Sequence, residues 1–164
     1  MIRIRAAVPA DAVFIISANR RMALETEGLE LDPELLEPGV RKALADPSLG
    51  RYFIAESGGK AVGQLMLTFE WSDWRNGQFW WIQSVFVEPE HRQQGVFGAL
   101  YRHAEETARA SGTVCGLRLY VEKDNHRARR IYERLGMHMT GYDMLEVTFR
   151  GPASHRHEPE SKGD

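Results

Sequence analysis

Residues 82–101, IQSVFVEPEHRQQGVFGALY, constrain this chain more than any other stretch. The run over 82–87 is rich in β-branched and aromatic residues and predicts a strand, which Pro89 ends. A polar turn, HRQQG, follows. Val96, Phe97, Leu100, Tyr101 and Ala104 then recur at helical spacing. A strand therefore feeds a tight turn that opens a helix. That geometry gathers unpaired backbone N–H groups at the positive end of a helix dipole, which suits a phosphate. Gly95 would let the backbone approach a ligand with no Cβ in the way, and Arg92 adds a fixed positive charge. An ordinary strand–helix connection would show the same glycine, so this stretch alone leaves both readings open.

The length, 164 residues, predicts one domain over 1–150 with a sizeable core. Residues 151–164, GPASHRHEPESKGD, are polar and lack any hydrophobic period, which predicts a mobile tail. The formal net charge of -2 offers no overall field toward nucleic acid or an anionic membrane. No apolar run is long enough to span a bilayer, and MIRIRAAVPAD lacks the apolar core of a signal peptide. The expected location is the cytoplasm. Cys115, the one cysteine, lies in a predicted strand and is expected to act as a small buried hydrophobe. No P-loop and no G-x-G-x-x-G after a strand occurs, so neither a P-loop NTPase nor a dinucleotide fold is expected, and no H-E-x-x-H or C-x-x-C occurs, so no metal site is expected. His91 is expected to face solvent, and His155 and His157 fall in the tail.

In chain order, Ile2 and Ile4 alternate with arginines as a first strand, and Pro9-Ala10-Asp11 starts a helix running to about Thr26. The acidic stretch, broken by Gly28, Pro33, Pro38 and Gly39, reads as a loop with a short helical turn, and 40–46 as a second helix. RYFIAES, a Gly58-Gly59 turn and KAVGQLMLTFE form a hairpin. After the opening strand and helix come the strand VCGLRLYV, a helix capped by Asn125, and one or two last strands in MHMTGYDMLEVTFR. The order is β-α-α-β-β-β-α-β-α-β, a mixed sheet with helices on both faces.

The segment V-x-P-x-x-R-x-x-G-V closely resembles the acyl-coenzyme A binding segment of the GNAT superfamily of N-acetyltransferases, whose usual form is R/Q-x-x-G-x-G/A. Arg92 and Gly95 match, whereas Phe97 stands where the family has Gly or Ala, with Gly98 one residue later. Residues 119–137 resemble the second GNAT signature, N-x-x-A-x-x-x-Y-x-x-x-G-F/M, at Asn125, Ala128, Tyr132 and Gly136. These spacings put Asn125, Ala128 and Tyr132 on one helix face. Taken singly, Asn125 could be only a cap and Tyr132 only core.

The resemblance implies a mostly antiparallel sheet of six or seven strands and acetyl-coenzyme A as cosubstrate, with no metal. It implies coenzyme contacts at Val85, Phe86, Val87, Arg92, Gln93, Gln94, Gly95, Val96, Phe97, Gly98, Asn125, Ala128 and Tyr132. The pantetheine arm would run along 85–87, a backbone N–H near Phe86 or Val87 would stabilise the oxyanion, and Tyr132 would protonate the thiolate.

The acceptor is expected at EWSDWRNGQFWW, residues 70–81, and at the loop after the first helix. Glu25, Glu27, Glu70, Trp71, Asp73 and Trp74 are the candidate contacts, because carboxylates and tryptophan faces both attract an ammonium group. Glu70 is the candidate base. Trp80 and Trp81 alternate, so at least one belongs to the core, and the tryptophans could instead form a homodimer contact. The expected activity is N-acetylation of a primary amine on a small cationic molecule. A protein or peptide N-acetyltransferase and a non-catalytic acyl-coenzyme A binding module are the alternatives.

Overall fold

The structure, a computed structural model, describes residues 1–149. The tail expected over 151–164, with His155 and His157, lies outside the described residues. The element order is β1 (Ile2–Ala6), α1 (Ala12–Glu27), α2 (Pro33–Ala45), β2 (Arg51–Ser57), β3 (Lys60–Ser72), β4 (Gly77–Val87), α3 (Val96–Ala110), β5 (Val114–Leu119) and α4 (His126–Arg134). Contacts divide the chain into two compact units, one of residues 1–120 and one from Val121 onward.

In the first unit the five strands form one sheet in the order β1-β2-β3-β4-β5. Every pairing is antiparallel except β4 with β5. Neighbouring residues of β3 show which helix covers which face, since successive side chains point to opposite sides. A Cβ at Gly63 would lie 3.2 Å from Val96 Cγ1 of α3, while Gln64 Nε2 donates to Asn19 Oδ1 of α1 at 2.6 Å. So α3 packs on one face and α1 on the other. Val96, Leu100, Tyr101, Ala104 and Ala108 form the buried stripe of α3, at the spacing that keeps one helix face inward. Full burial of a side chain such as Leu100 contributes about 1.5–3 kcal/mol.

Local chemistry sets the helix ends. Asp11 precedes α1, accepts from Val8 N at 2.7 Å and takes two bonds from Arg5 at 2.7 and 2.8 Å. The Arg5 guanidinium holds the Asp11 carboxyl below its ordinary range. Gly28, at φ +62°, ends the helix. The second helix starts at Pro33, well before the expected residue 40. Asp32 caps it by accepting from Glu34 N at 2.9 Å, and Pro33 sits at the first position, where a missing N–H costs nothing. Pro38 lies inside the helix, so the breaker reading of both prolines is corrected.

The expectation of six or seven strands is also corrected: among the described residues there are five. In the second unit, Asn125 caps α4 by accepting from Ala128 N at 3.0 Å, and Gly136, at φ +85°, follows its end. Residues 137–149 form no strand, and Met139, Tyr142, Leu145, Val147 and Phe149 are exposed. Their composition favours extended backbone, but a strand exists only where a partner ladder pairs it.

Candidate active site

The turn between β4 and α3 has the conformation its residues permit. A short 3-10 turn, Pro89–His91, leads to an extended Arg92. Gln93 then takes φ +63° and Gly95 φ +81° before Val96 begins the helix. Left-handed residues alternating with ordinary ones turn successive amides toward one concave side, a geometry that binds anions. A Cβ built on Gly95 meets nothing within 4 Å, so the space beside it is open. Gln94 Nε2 donates to Glu90 O at 2.7 Å and steadies the turn from within. His91 is half-buried, and its Nδ1 is buried without a partner among the described residues, rather than facing solvent as expected.

Arg92 is held on the protein itself. Its Nε donates to Val87 O at 3.0 Å, and its Nη2 pairs with Glu25 Oε2 at 2.6 Å. Arg21 pairs with Glu88 at 2.8 Å, and both guanidiniums lie over the Phe86 ring, 4.8 and 5.8 Å from its centroid. Two ion pairs thus tie the end of α1 to the turn across a buried Phe86. Glu25, expected at the acceptor, is the partner of Arg92, while Glu27 is the last, exposed residue of α1.

Below the turn, β4 loses a neighbour. It pairs with β5 only from Gln78 to Ile82, while its pairing with β3 runs on to Val87. Residues 83–87 therefore have an edge that β5 does not cover. Val85 and Val87 on that segment are half-buried. Val96 is buried at the base of α3, Phe97 packs at an angle to Tyr101, and Gly98 has only the flexible Arg102 side chain near its missing Cβ.

The acceptor candidates do not converge as expected. Glu70 and Trp71 are consecutive in β3, so their side chains point to opposite faces. Asp73 Oδ1 accepts from Trp74 N at 2.9 Å within the 3-10 turn Asp73–Arg75, and Trp74 is 86% exposed. Trp80 is buried. Glu70 lies opposite Phe79 on β4, accepts from Trp81 Nε1 at 2.5 Å, and pairs with Arg118 Nη1 of β5 at 3.0 and 3.1 Å. Arg118 stacks over Phe79, 3.6 Å from the centroid, and Trp81 stacks on Tyr120 at 4.5 Å. Sequence reasoning missed Arg118 and Tyr120. The available signal was their alternation with Leu117 and Leu119, which puts Arg118 on one face of β5 and Tyr120 one residue past the strand's end. Cys115 is exposed, not buried, because β5 is the last strand of the described sheet; its thiol donates to Gln78 O.

In the second unit, Asn125 and Ala128 are joined by the capping bond, and burial pushes the Tyr132 phenol above its ordinary value. No group of three or more potential metal ligands occurs among the described residues.

A family model described as the acetyltransferase (GNAT) family matches residues 16–137. The chain belongs to the GNAT acetyltransferase family. A possible acetyltransferase from Clostridium difficile 630 is 42% identical, with a TM-score of 0.86 over 92% of this chain and 99% of that one. The uncharacterized N-acetyltransferase YhfO of Bacillus subtilis (strain 168) is 32% identical over 83 residues. That match spans 51% of this chain and 55% of YhfO, about half the length of each. A ribosomal-protein-alanine N-acetyltransferase from Brucella melitensis biovar Abortus 2308 shares the GNAT fold at 15% identity, with a TM-score of 0.71 over 91% of this chain and all of that one. At that identity the likeness concerns the fold alone.

Proposed function

We propose that this GNAT protein transfers the acetyl group of acetyl-coenzyme A to a primary amine of a small molecule by direct attack in a ternary complex. The observation that carries the reading is the left-handed Gln93/Gly95 turn opening α3 beside the uncovered edge of β4. The amides of residues 93–98 bind the pyrophosphate, and Gly95 keeps a side chain out of its way. The strand edge at 85–87 pairs with the amides of the pantetheine arm. An N–H near Phe86 or Val87 stabilises the oxyanion that forms when the neutral amine adds to the thioester carbonyl carbon.

The C–S bond then breaks, and Tyr132 gives its phenolic proton to the thiolate. Its raised pKa keeps the phenol protonated at neutral pH, as a general acid must be. Asn125 and Ala128 complete the coenzyme side, by motif resemblance. Glu70 accepts the proton that the amine loses, directly or through water, once its hold on Arg118 loosens. Asp73 and Trp74 border the acceptor from the end of the β3–β4 hairpin.

The test is thiol release from acetyl-coenzyme A across a panel of amines, with coenzyme affinity measured by calorimetry. Acetylated amine and free thiol in equal amounts are the expected result. Coenzyme binding without transfer to any amine would leave only a binding module.

A further inference from the structure

The Glu70–Arg118 pair is placed like an anchor with one side in use. Arg118 presents only Nη1 to Glu70, at 3.0 and 3.1 Å. Its Nε and Nη2 make no hydrogen bond among the described residues, and neither is buried from solvent. Those two nitrogens form one edge of the guanidinium fork, the edge that matches a carboxylate with two parallel N–H···O bonds.

The fork is held rather than free. Phe79 lies under it at 3.6 Å. The ring itself rests against Gly116, where a Cβ would stand 2.8 Å from Phe79 Cε1. The Arg75 guanidinium also lies over Phe79, at 5.2 Å, so two cations lie over this ring, of which Arg118 pairs with Glu70. Asp73 is committed to its own turn. Trp81 and Tyr120 continue the surface as a stacked aromatic wall, with Tyr120 55% exposed. Charge here is complementary to an anion and not to a second ammonium group, because both Glu70 oxygens are engaged.

We infer that Arg118 is a specificity-determining residue, and that the acceptor is an amine that also carries a carboxylate, bound on the Nε/Nη2 edge of Arg118. This inference rests on the acetyl-transfer reading for its reaction but not for its binding site. A carboxylate fits better than a phosphate, since a dianion on this edge meets more repulsion from Glu70 across the same guanidinium. Binding there also draws Arg118 from Glu70, which frees that carboxylate for the amine's proton.

The experiment uses amino acids with amine and carboxylate separated by different lengths of chain. Each is compared with its methyl ester, with the amine lacking the carboxyl group, and with the aminophosphonate of equal length. Turnover is read as kcat/KM, and binding in parallel by quenching of tryptophan fluorescence. For at least one chain length the acid should exceed its ester by about tenfold or more, the worth of one charge-assisted hydrogen bond. Arg118→Gln should abolish that preference through the acceptor KM and leave coenzyme affinity unchanged. Arg118→Lys should restore part of it, and Glu70→Gln should keep it while lowering turnover. Should Arg118→Gln fail to fold, Phe79→Leu, which removes the support, should reduce the preference.

Acids and esters used alike, an acid preference surviving in Arg118→Gln, or a phosphonate preferred to the carboxylate overturns the inference. A protein that binds acids over esters through Arg118 yet acetylates none of them keeps the inference and overturns the acetyl-transfer reading. Acetylation of every amine regardless of its carboxylate does the reverse.

Discussion

The turn at 88–96 and the Glu70–Arg118 face differ in how each is made. The turn comes from consecutive residues: Pro89, two left-handed positions and a helix start lie within eight residues. The face is assembled from three strands, with Glu70 on β3, Phe79 and Trp81 on β4, Arg118 on β5 and Tyr120 just after it. A local backbone shape suits a ligand part that never varies, such as a pyrophosphate. A face built from side chains brought together by the sheet can change its chemistry one residue at a time without altering the fold. On the proposed reading, the contrast teaches that the coenzyme half of such a site belongs to the family, and the acceptor half to the individual chain.

The largest expected effect is at the turn. Gly95→Asp should abolish acetyl-coenzyme A binding in calorimetry, because the carboxylate repels the pyrophosphate and the left-handed φ strains any side chain. Gly95→Ala, which keeps the strain without the charge, should lose less. Unchanged affinity in the folded Asp variant would break the assignment of the turn to the coenzyme.

Next comes the acid. Tyr132→Phe should lower kcat by about two orders of magnitude with coenzyme affinity nearly intact. In the parent, kcat should hold on the alkaline side until above pH ~10, since the phenol's pKa is raised from that value and the proton donor persists as pH rises. A decline beginning near neutral pH would assign the proton to another group.

Gly116→Ala separates the two regions more finely. The new methyl would displace Phe79 and with it the Arg118 fork, so acceptor KM should rise several-fold while coenzyme affinity stays as in the parent. Loss of coenzyme affinity here would mean that the two regions are mechanically one.

Smaller effects are expected at the ion pair that locks the turn to α1. Arg92→Ala should weaken the coenzyme several-fold, less than Gly95→Asp does. Glu25→Gln should tighten it slightly, because Arg92 is then released to the phosphate. A weaker coenzyme in Glu25→Gln would show that the pair shapes the turn rather than competing for its arginine. The smallest effect belongs to Trp74→Ala, an exposed side chain whose loss should raise the amine KM only a few-fold at most. A parent-like KM in Trp74→Ala and Asp73→Asn would confine the acceptor to the sheet face.

What could be read in the chain follows the same division. The strand, turn and helix around Gly95, the Asn125 cap and the alternation of Trp80 with Trp81 depend on neighbours a few residues away, and all were legible. The start of α2 at Pro33 departs from the loop expected there because a proline in the first turn of a helix removes no hydrogen bond, whereas no local rule accounts for Pro38 inside the helix. Residues 137–149 have strand-like composition and form no strand, for composition supplies propensity but no partner.

By itself, the order of residues determined most of the helix and strand periods through β5 and α4, the tight turn between strand and helix around Gly95, and the two family signatures, since each rests on local sterics and hydrogen bonding. Only the tertiary structure decided that Arg92 meets Glu25 and that Glu70 meets Arg118, pairs separated by 67 and 48 positions along the chain. A side chain's charge can be read from sequence, but its partner is chosen by strand order and register, and those follow from how the whole sheet buries its apolar faces.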